Sequence, residues 1–533
     1  MSEASQRSAR ALDGLARFAE GRHAAPALLV LALGTYAVLA LAWPLAAGRD
    51  LGTYLRAAFE LRSAEVVLPQ ALLSRAPVTG VVAEALLSAG PFLAELAMAV
   101  LYALSILCWW SVARRVGIWV GIATAGLLLV FPGYALLFHR LSSDELFAAA
   151  FALAALLAAR FVQAPTAGRG AAVGAALALL VLVRPVSLVL AVLAPLALLL
   201  PGAPRARLLR LGALAAAAAL PLGAWAVHNA GRADDLTIVR GAGHGLPLFR
   251  AFVADRIVEP GNGPASRELA RAVERDLLPR EPYRSYGIDV ETFFSSGSAR
   301  MHEDLIGLAD RTWGWDDDYG QLGRVGREAV RAHPGAYLRG VARDAWRLLW
   351  WPLFLPEPAQ TPEAARSLAA AAQLPPPSEG QPLPSASVSA FVSTPDGRFR
   401  EEWTSPTEHE IVADDPRDAL HLHRLNVHVS ELAGRFSDRG ASSALATWSN
   451  RASRWFPRPA VWLAAGLVAI AIRRPRGLAT PAVLVATALL LLVTTSLAVP
   501  AAAEYSTPVA PAFVLLAATG LLAPRGRAEG ASA

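Results

Sequence analysis

The chain is a succession of apolar runs, each closed by a short cluster of arginines, and that alternation leaves few folds open to it. Crossing a bilayer as a helix takes about 20 apolar residues, and lipid forces every backbone polar group to be satisfied within the segment. The runs therefore read as membrane-embedded helices. The mean hydropathy of +0.40 is too high for an ordinary soluble domain, and it is concentrated in these runs. All 49 basic residues are arginines. A pI near 9.9 raises nucleic acid as a partner. That reading is excluded because much of the arginine flanks apolar runs, where it sets topology. The single cysteine, Cys108, lies inside an apolar run, so no disulfide framework is available.

The first run, about 27–47, follows a basic 1–26 segment with no clear cleavage site, and is expected to be a retained span with its N-terminus inside. A first outer loop, 48–90, contains Tyr54 to Leu61, which is apolar on one face and charged on the other, so it is expected to form a surface helix. Further spans are expected at 91–112 and 116–138, one starting after Ser142-Ser143-Asp144 and running to Arg160, then at 211–227, 460–472, 478–499 and 508–522. Between 171 and 200 one long apolar run is interrupted by Arg184-Pro185. Read as a hairpin of two short helices, it places Arg160, Arg169, Arg205, Arg207 and Arg210 on the same inner side. The fold class is thus an all-α polytopic membrane protein of about ten embedded segments, with both termini cytoplasmic. An arginine at the depth of Arg184 is expensive and is a functional candidate by default.

Residues 230–457 are expected to form a large, mainly helical extracytoplasmic domain, with a Pro-rich linker at 356–395. Helices are expected near 266–278, 320–332, 335–351 and 416–436; the third is rich in Trp and Leu and suits a membrane surface. Residues 458–523 close the membrane part and 524–533 form a cytoplasmic tail. Three motifs in the outer domain read as structural. Asp316-Asp317-Asp318 is a solvated turn. His421, His423 and His428 do not share one helical face. Gly241 to Gly245 lacks the strand and helix of a phosphate-binding fingerprint.

Polar groups gather at the outer ends of the spans: Arg49 and Asp50, His139 to Glu145, Arg184, His228 and Asn229, and Glu504-Tyr505. Cations there suit a lipid-linked phosphate at the water–lipid boundary. A carboxylate among them suits proton abstraction from a nucleophile. Asp50 and Asp144 also read as helix caps.

The order of Asp50 after the first span, His139-Arg140-Leu141-Ser142-Ser143-Asp144, Arg184-Pro185, and Glu504-Tyr505-Ser506-Thr507-Pro508 resembles the GT-C fold of polyprenyl-phosphate-sugar-dependent glycosyltransferases. It is most similar to the protein mannosyltransferase and rhizobial lipopolysaccharide glycosyltransferase-like group. It departs from many relatives where Leu51 follows Asp50 and where Glu504 precedes the tyrosine. The resemblance implies a GT-C-like bundle whose active site faces outside the cell membrane. It implies an inverting transfer of sugar from a polyprenyl phosphate to a glycan, lipid or protein acceptor. Asp50 and Asp144 would be catalytic, and Arg49, His139, Arg140, Arg184, His228 and Tyr505 would bind the donor phosphate. A divalent-metal requirement is left open, and no metal ligands are assigned. The alternatives are a transporter or flippase of lipid-linked sugars, and a non-catalytic envelope assembly protein.

Overall fold

A computed structural model describes residues 3–241, 246–350, 393–403, 409–436 and 442–525. It is almost entirely helical. The first part comprises α1 (Glu3–Glu20), α2 (Ala24–Ala40), α3 (Leu51–Arg62), α4 (Pro69–Leu73), α5 (Pro77–Ala89), α6 (Pro91–Ala113), α7 (Ile118–Leu129), α8 (Pro132–Leu137), α9 (Ser143–Gln163), α10 (Ala167–Val183) and α11 (Pro204–Ala233). Two short strands lie among them, β1 (Ala46–Ala47) and β2 (Arg140–Leu141). The insert that follows carries α12 (Pro264–Asp276), α13 (Ala299–Trp313), α14 (Gly320–Ala332), α15 (Pro334–Trp350), a β3–β4 hairpin (Phe399–Trp403 and His409–Ala413), α16 (Pro416–Ala433) and α17 (Ser443–Trp455). The chain closes with α18 (Pro459–Arg473), α19 (Ala479–Ala498) and α20 (Ala510–Leu522).

Among the described residues, five helices are long and apolar enough to cross a membrane unaided: α6, α9, α11, α19 and the 504–522 segment. The bent pairs α1–α2 and α17–α18 raise the number to seven. The remaining apolar helices α5, α7 and α10, and the 3₁₀ helix Pro185–Leu199, are too short to span alone. The single span expected at 116–138 is in fact two helices. Pro132 is the cause: it disfavours helical backbone at Phe131, which is extended, and restarts the chain as α8. The break at Arg184-Pro185 has the same origin, since Arg184 is extended and closes α10. The 3₁₀ helix then packs against α10, α11 and α19. Together these elements make an all-α polytopic membrane protein.

In the insert, α14 begins and ends at the expected residues, and α12, α15 and α16 lie within two residues of expectation at most boundaries. Trp346 and Trp350 on α15 are exposed and stack at 5.7 Å. The hairpin has no counterpart in the expected helices. The Pro-rich stretch up to 392, residues 242–245 and the tail from 526 fall outside the described residues. The insert has its own aromatic core around Phe252, Phe293 and Phe294. Two fully buried arginines tie it to the membrane part. Arg250 binds Asp255 and Asp344 and donates to the Ser496 carbonyl at the end of α19. Arg240 lies 3.4 Å from the Trp315 ring centre, pairs with Asp310 at 3.0 Å, and donates to Gln70 of α4.

A further tie runs through α16. His421 and His428 lie two turns apart on one face, and each imidazole is hydrogen-bonded at 2.6 Å to a carboxylate: Glu60 of α3 and Glu84 of α5. Both carboxylates are buried. Asp317 and Asp318 accept from the Gln321 and Gly241 amides, as turn residues do.

Candidate functional site

The site begins with a backbone junction. β1 pairs in parallel with β2, Ala46 opposite Arg140 and Ala47 opposite Leu141. The Gly48 amide extends the pairing to the Leu141 carbonyl at 2.9 Å. Gly48 is required by this contact, because a Cβ there would meet Ser142 Cβ at 2.5 Å and Leu141 O at 2.9 Å. The junction sets Arg49-Asp50 alongside Ser142-Ser143-Asp144.

Asp50 occupies the N-cap position of α3 with a positive φ of 60°, a conformation Asp tolerates better than most residues. Its carbonyl accepts from the Thr53 amide, but its carboxylate makes no cap. That carboxylate is half exposed and lies 3.5 Å from Arg75. Arg75 also donates to the Thr53 hydroxyl and faces the Tyr54 ring. Nothing in the sequence pointed to Arg75, which lies 25 positions downstream of Asp50 with no periodic relation to it.

α9 opens with a complete capping box. The Ser142 hydroxyl accepts from the Asp144 amide, and Glu145 reaches back to the Ser142 amide. This fixes the first turn, and Asp144 points to Arg184 at 2.7 Å. Both side chains are largely buried, at 8% and 16% exposure. The Arg184 guanidinium also lies 5.3 Å from the Tyr505 ring and 5.6 Å from the Phe147 ring. Arg49 approaches Tyr505 at 5.9 Å. The guanidinium of Arg49 is held above its ordinary range chiefly by Tyr505, with Asp50, Glu504 and Asp144 adding and burial opposing. Four segments thus converge: 49–50, 142–145, 184 and 504–505.

Below Arg184 the surroundings turn apolar. Phe147 stacks on Phe151 at 6.0 Å. Phe151 in turn lines a groove of about 290 Å³ with Leu180, Leu190, Leu214 and Leu484.

The other expected phosphate ligands are placed differently. His139 is buried, its ring stacked on Tyr36 at 3.9 Å. Arg140 is half-buried on β2. His228 is exposed on α11, stacked on Trp225 at 5.3 Å. The neighbouring Asn229 is buried and donates to the Thr237 carbonyl. Among the described residues, no group of three His, Cys, Asp or Glu is placed to hold a metal ion.

Fold and site define a polytopic membrane protein with two arginines, four carboxylates and a tyrosine gathered where these four segments meet. No family model and no curated protein matches the chain. Among solved structures the chain is similar to ArnT from Cupriavidus metallidurans bound to undecaprenyl phosphate. The identity is 16% and the TM-score 0.35, over 94% of this chain and 77% of that one.

Proposed function

We propose that the chain is a membrane glycosyltransferase that moves a sugar from a polyprenyl phosphate to an extracytoplasmic acceptor, with inversion. The observation that supports this most is Arg184, a buried guanidinium held against Asp144 with the Phe147 and Tyr505 rings beside it and Arg49 on the other side of Tyr505. A lipid-linked phosphate needs cations held in such a partly apolar setting for its head group. Arg184 uses one face on Asp144 and has further N–H groups to give, with Arg49 and Tyr505 across from it.

In this reading Asp50 is the general base. Its carboxylate is free of capping duty, accessible, and 3.5 Å from the Arg75 guanidinium. The acceptor hydroxyl gives its proton to Asp50 as its oxygen attacks the anomeric carbon. The bond from that carbon to the phosphate oxygen breaks, and the phosphate leaves with the electron pair, stabilised by Arg184, Arg49 and the Tyr505 hydroxyl. Asp144 holds Arg184 in register. His139 braces the strand bearing Arg140 through its stack on Tyr36.

Purified protein incubated with a panel of polyprenyl-phosphate sugars, with and without divalent metal, tests the reading. Release of polyprenyl phosphate together with a glycosylated product is expected from at least one donor. Binding of donors with no release from any of them would leave the flippase reading in its place.

A further inference from the structure

The end of α9 opposite Asp144 lies among arginines that have no counter-charge. Along the chain no Asp or Glu occurs from Leu96 to Ser143 or from Leu146 to Ala233. Among the described residues no carboxylate pairs with Arg114, Arg115, Arg160 or Arg169. In the insert, by contrast, Arg240, Arg250 and Arg400 are each answered by an aspartate.

These four arginines share one place. Arg114 and Arg115 follow α6, Arg160 lies in the last turn of α9, and Arg169 lies in the first turn of α10. The Arg115 guanidinium donates to the Gln163 side-chain carbonyl at 2.6 Å. Arg169 donates to the backbone carbonyls of Arg160 and Ala164, both at 3.0 Å. Arg114 rests 4.5 Å from the Trp110 ring centre. Burial first, and then the charges of Arg160, Arg114 and Arg169, hold the Arg115 guanidinium below its ordinary range. Every charge in that balance is a cation. All four residues are exposed, and the groups they touch are neutral, so most of their N–H donors face outward. Like charges so placed repel, and an anion with several acceptor oxygens removes that cost with charge-assisted hydrogen bonds.

What lies beside the cluster decides the kind of anion. Helical spacing puts Leu153, Leu156 and Leu157 on the face of α9 that carries Arg160, and Leu104 and Cys108 on the side of α6 that leads to Arg115. Leu104 and Leu153 are 44% and 39% exposed, and both belong to helices long enough to cross a membrane. The cations therefore crown an apolar surface of the kind lipid chains cover. An inorganic anion would use the arginines and leave the leucines bare, whereas an anionic amphiphile uses both. We infer that Arg115, Arg160 and Arg169, with Gln163, form a site for an anionic phospholipid in the leaflet opposite the candidate site. A head group with two phosphates is the best match for three guanidiniums.

This inference holds whether or not the chain transfers sugar. The test is native mass spectrometry of the full-length protein in detergent, stripped of lipid and titrated with diphosphatidylglycerol, phosphatidylglycerol, phosphatidylcholine or inorganic pyrophosphate. One diphosphatidylglycerol should bind ahead of the other probes. Arg160→Gln should weaken it roughly fivefold, the worth of one basic residue at an anionic membrane surface, and Arg115→Gln combined with Arg160→Gln roughly 25-fold. Among the described residues the Arg160 guanidinium holds no other side chain, so Arg160→Gln should keep the parent's melting temperature in lipid-free detergent. Arg205→Gln removes an arginine at the start of α11 that does not act on Arg115, and should bind as the parent does. The inference is overturned if phosphatidylcholine or pyrophosphate binds as tightly as diphosphatidylglycerol, or if Arg160→Gln binds as the parent does. It is equally overturned if Arg205→Gln loses as much as Arg160→Gln, since the surface would then be diffusely basic and no site.

Discussion

The Arg184 guanidinium lies 2.7 Å from the Asp144 carboxylate, joining the end of α10 to the first turn of α9. The pair joins two membrane helices and, in the proposed function, also presents a cation to the donor phosphate. Removing one partner of a buried pair costs about 3–5 kcal/mol because the other charge is left alone. Arg184→Ala should therefore lower stability and abolish donor binding. Arg184→Ala combined with Asp144→Asn should regain most of the stability and none of the binding. Arg184→Lys should bind weakly, lacking the planar fork. Donor affinity measured beside the apparent melting temperature checks all three. Normal donor binding by the double variant would reduce Arg184 to a structural residue.

Asp50→Asn keeps the shape of the side chain and removes the proton acceptor. As a base variant it should still bind donor and lose transfer by a factor of roughly 10² to 10⁴. Asn and Asp serve equally well as helix caps, and the Asp50 side chain does not cap α3 in any case. A transfer rate within a few-fold of the parent would remove Asp50 from the mechanism.

Gly48→Ala should disrupt the β1–β2 junction, because the added methyl overlaps Ser142 and Leu141. The expected loss is about 1–3 kcal/mol of stability, as for other overpacked sites, with transfer falling alongside. Gly52→Ala, four residues on with open space around it, is the control. Equal behaviour of the two variants would show that the junction is not rigid.

The insert should be acid-sensitive through His302, which is buried beside Phe249 and Phe252. Burial lowers its pKa to about 4 from an ordinary value of 6.5. Between these values the unfolded chain binds the proton and the folded one does not, so stability rises with pH. The contribution is complete above pH 6.5 and is lost as pH falls towards about 4. Such a depression corresponds to about 3 kcal/mol. Melting temperatures across that window should fall in the parent and flatten in His302→Leu. An unchanged slope in the variant would place the acid sensitivity elsewhere.

The sequence made the embedded helices legible because the hydrophobic runs and their arginine boundaries carry the signal locally. The hairpin break was legible for the same reason, since Arg184-Pro185 announces its own backbone. The junction was not. Two residues of parallel pairing between positions 46 and 140 leave no periodicity to read, and Gly48 is one glycine among 41. Arg240 and Arg250 look like surface residues until the aspartates that answer them are brought in from α13 and α15. The β3–β4 hairpin went unseen because its strands, Phe399–Trp403 and His409–Ala413, are short and mostly polar.

The backbone pairing of Ala46–Gly48 with Arg140–Leu141 has a mechanical consequence. It welds Arg49 and Asp50 to the turn that carries Asp144, so the two carboxylates travel as one piece. A bulky substrate cannot gain room by parting them without tearing that seam. The other side, where the Tyr505 ring faces Arg49 and Arg184, shows no such strand pairing among the described residues, so any widening of the gap falls to the ring contacts there.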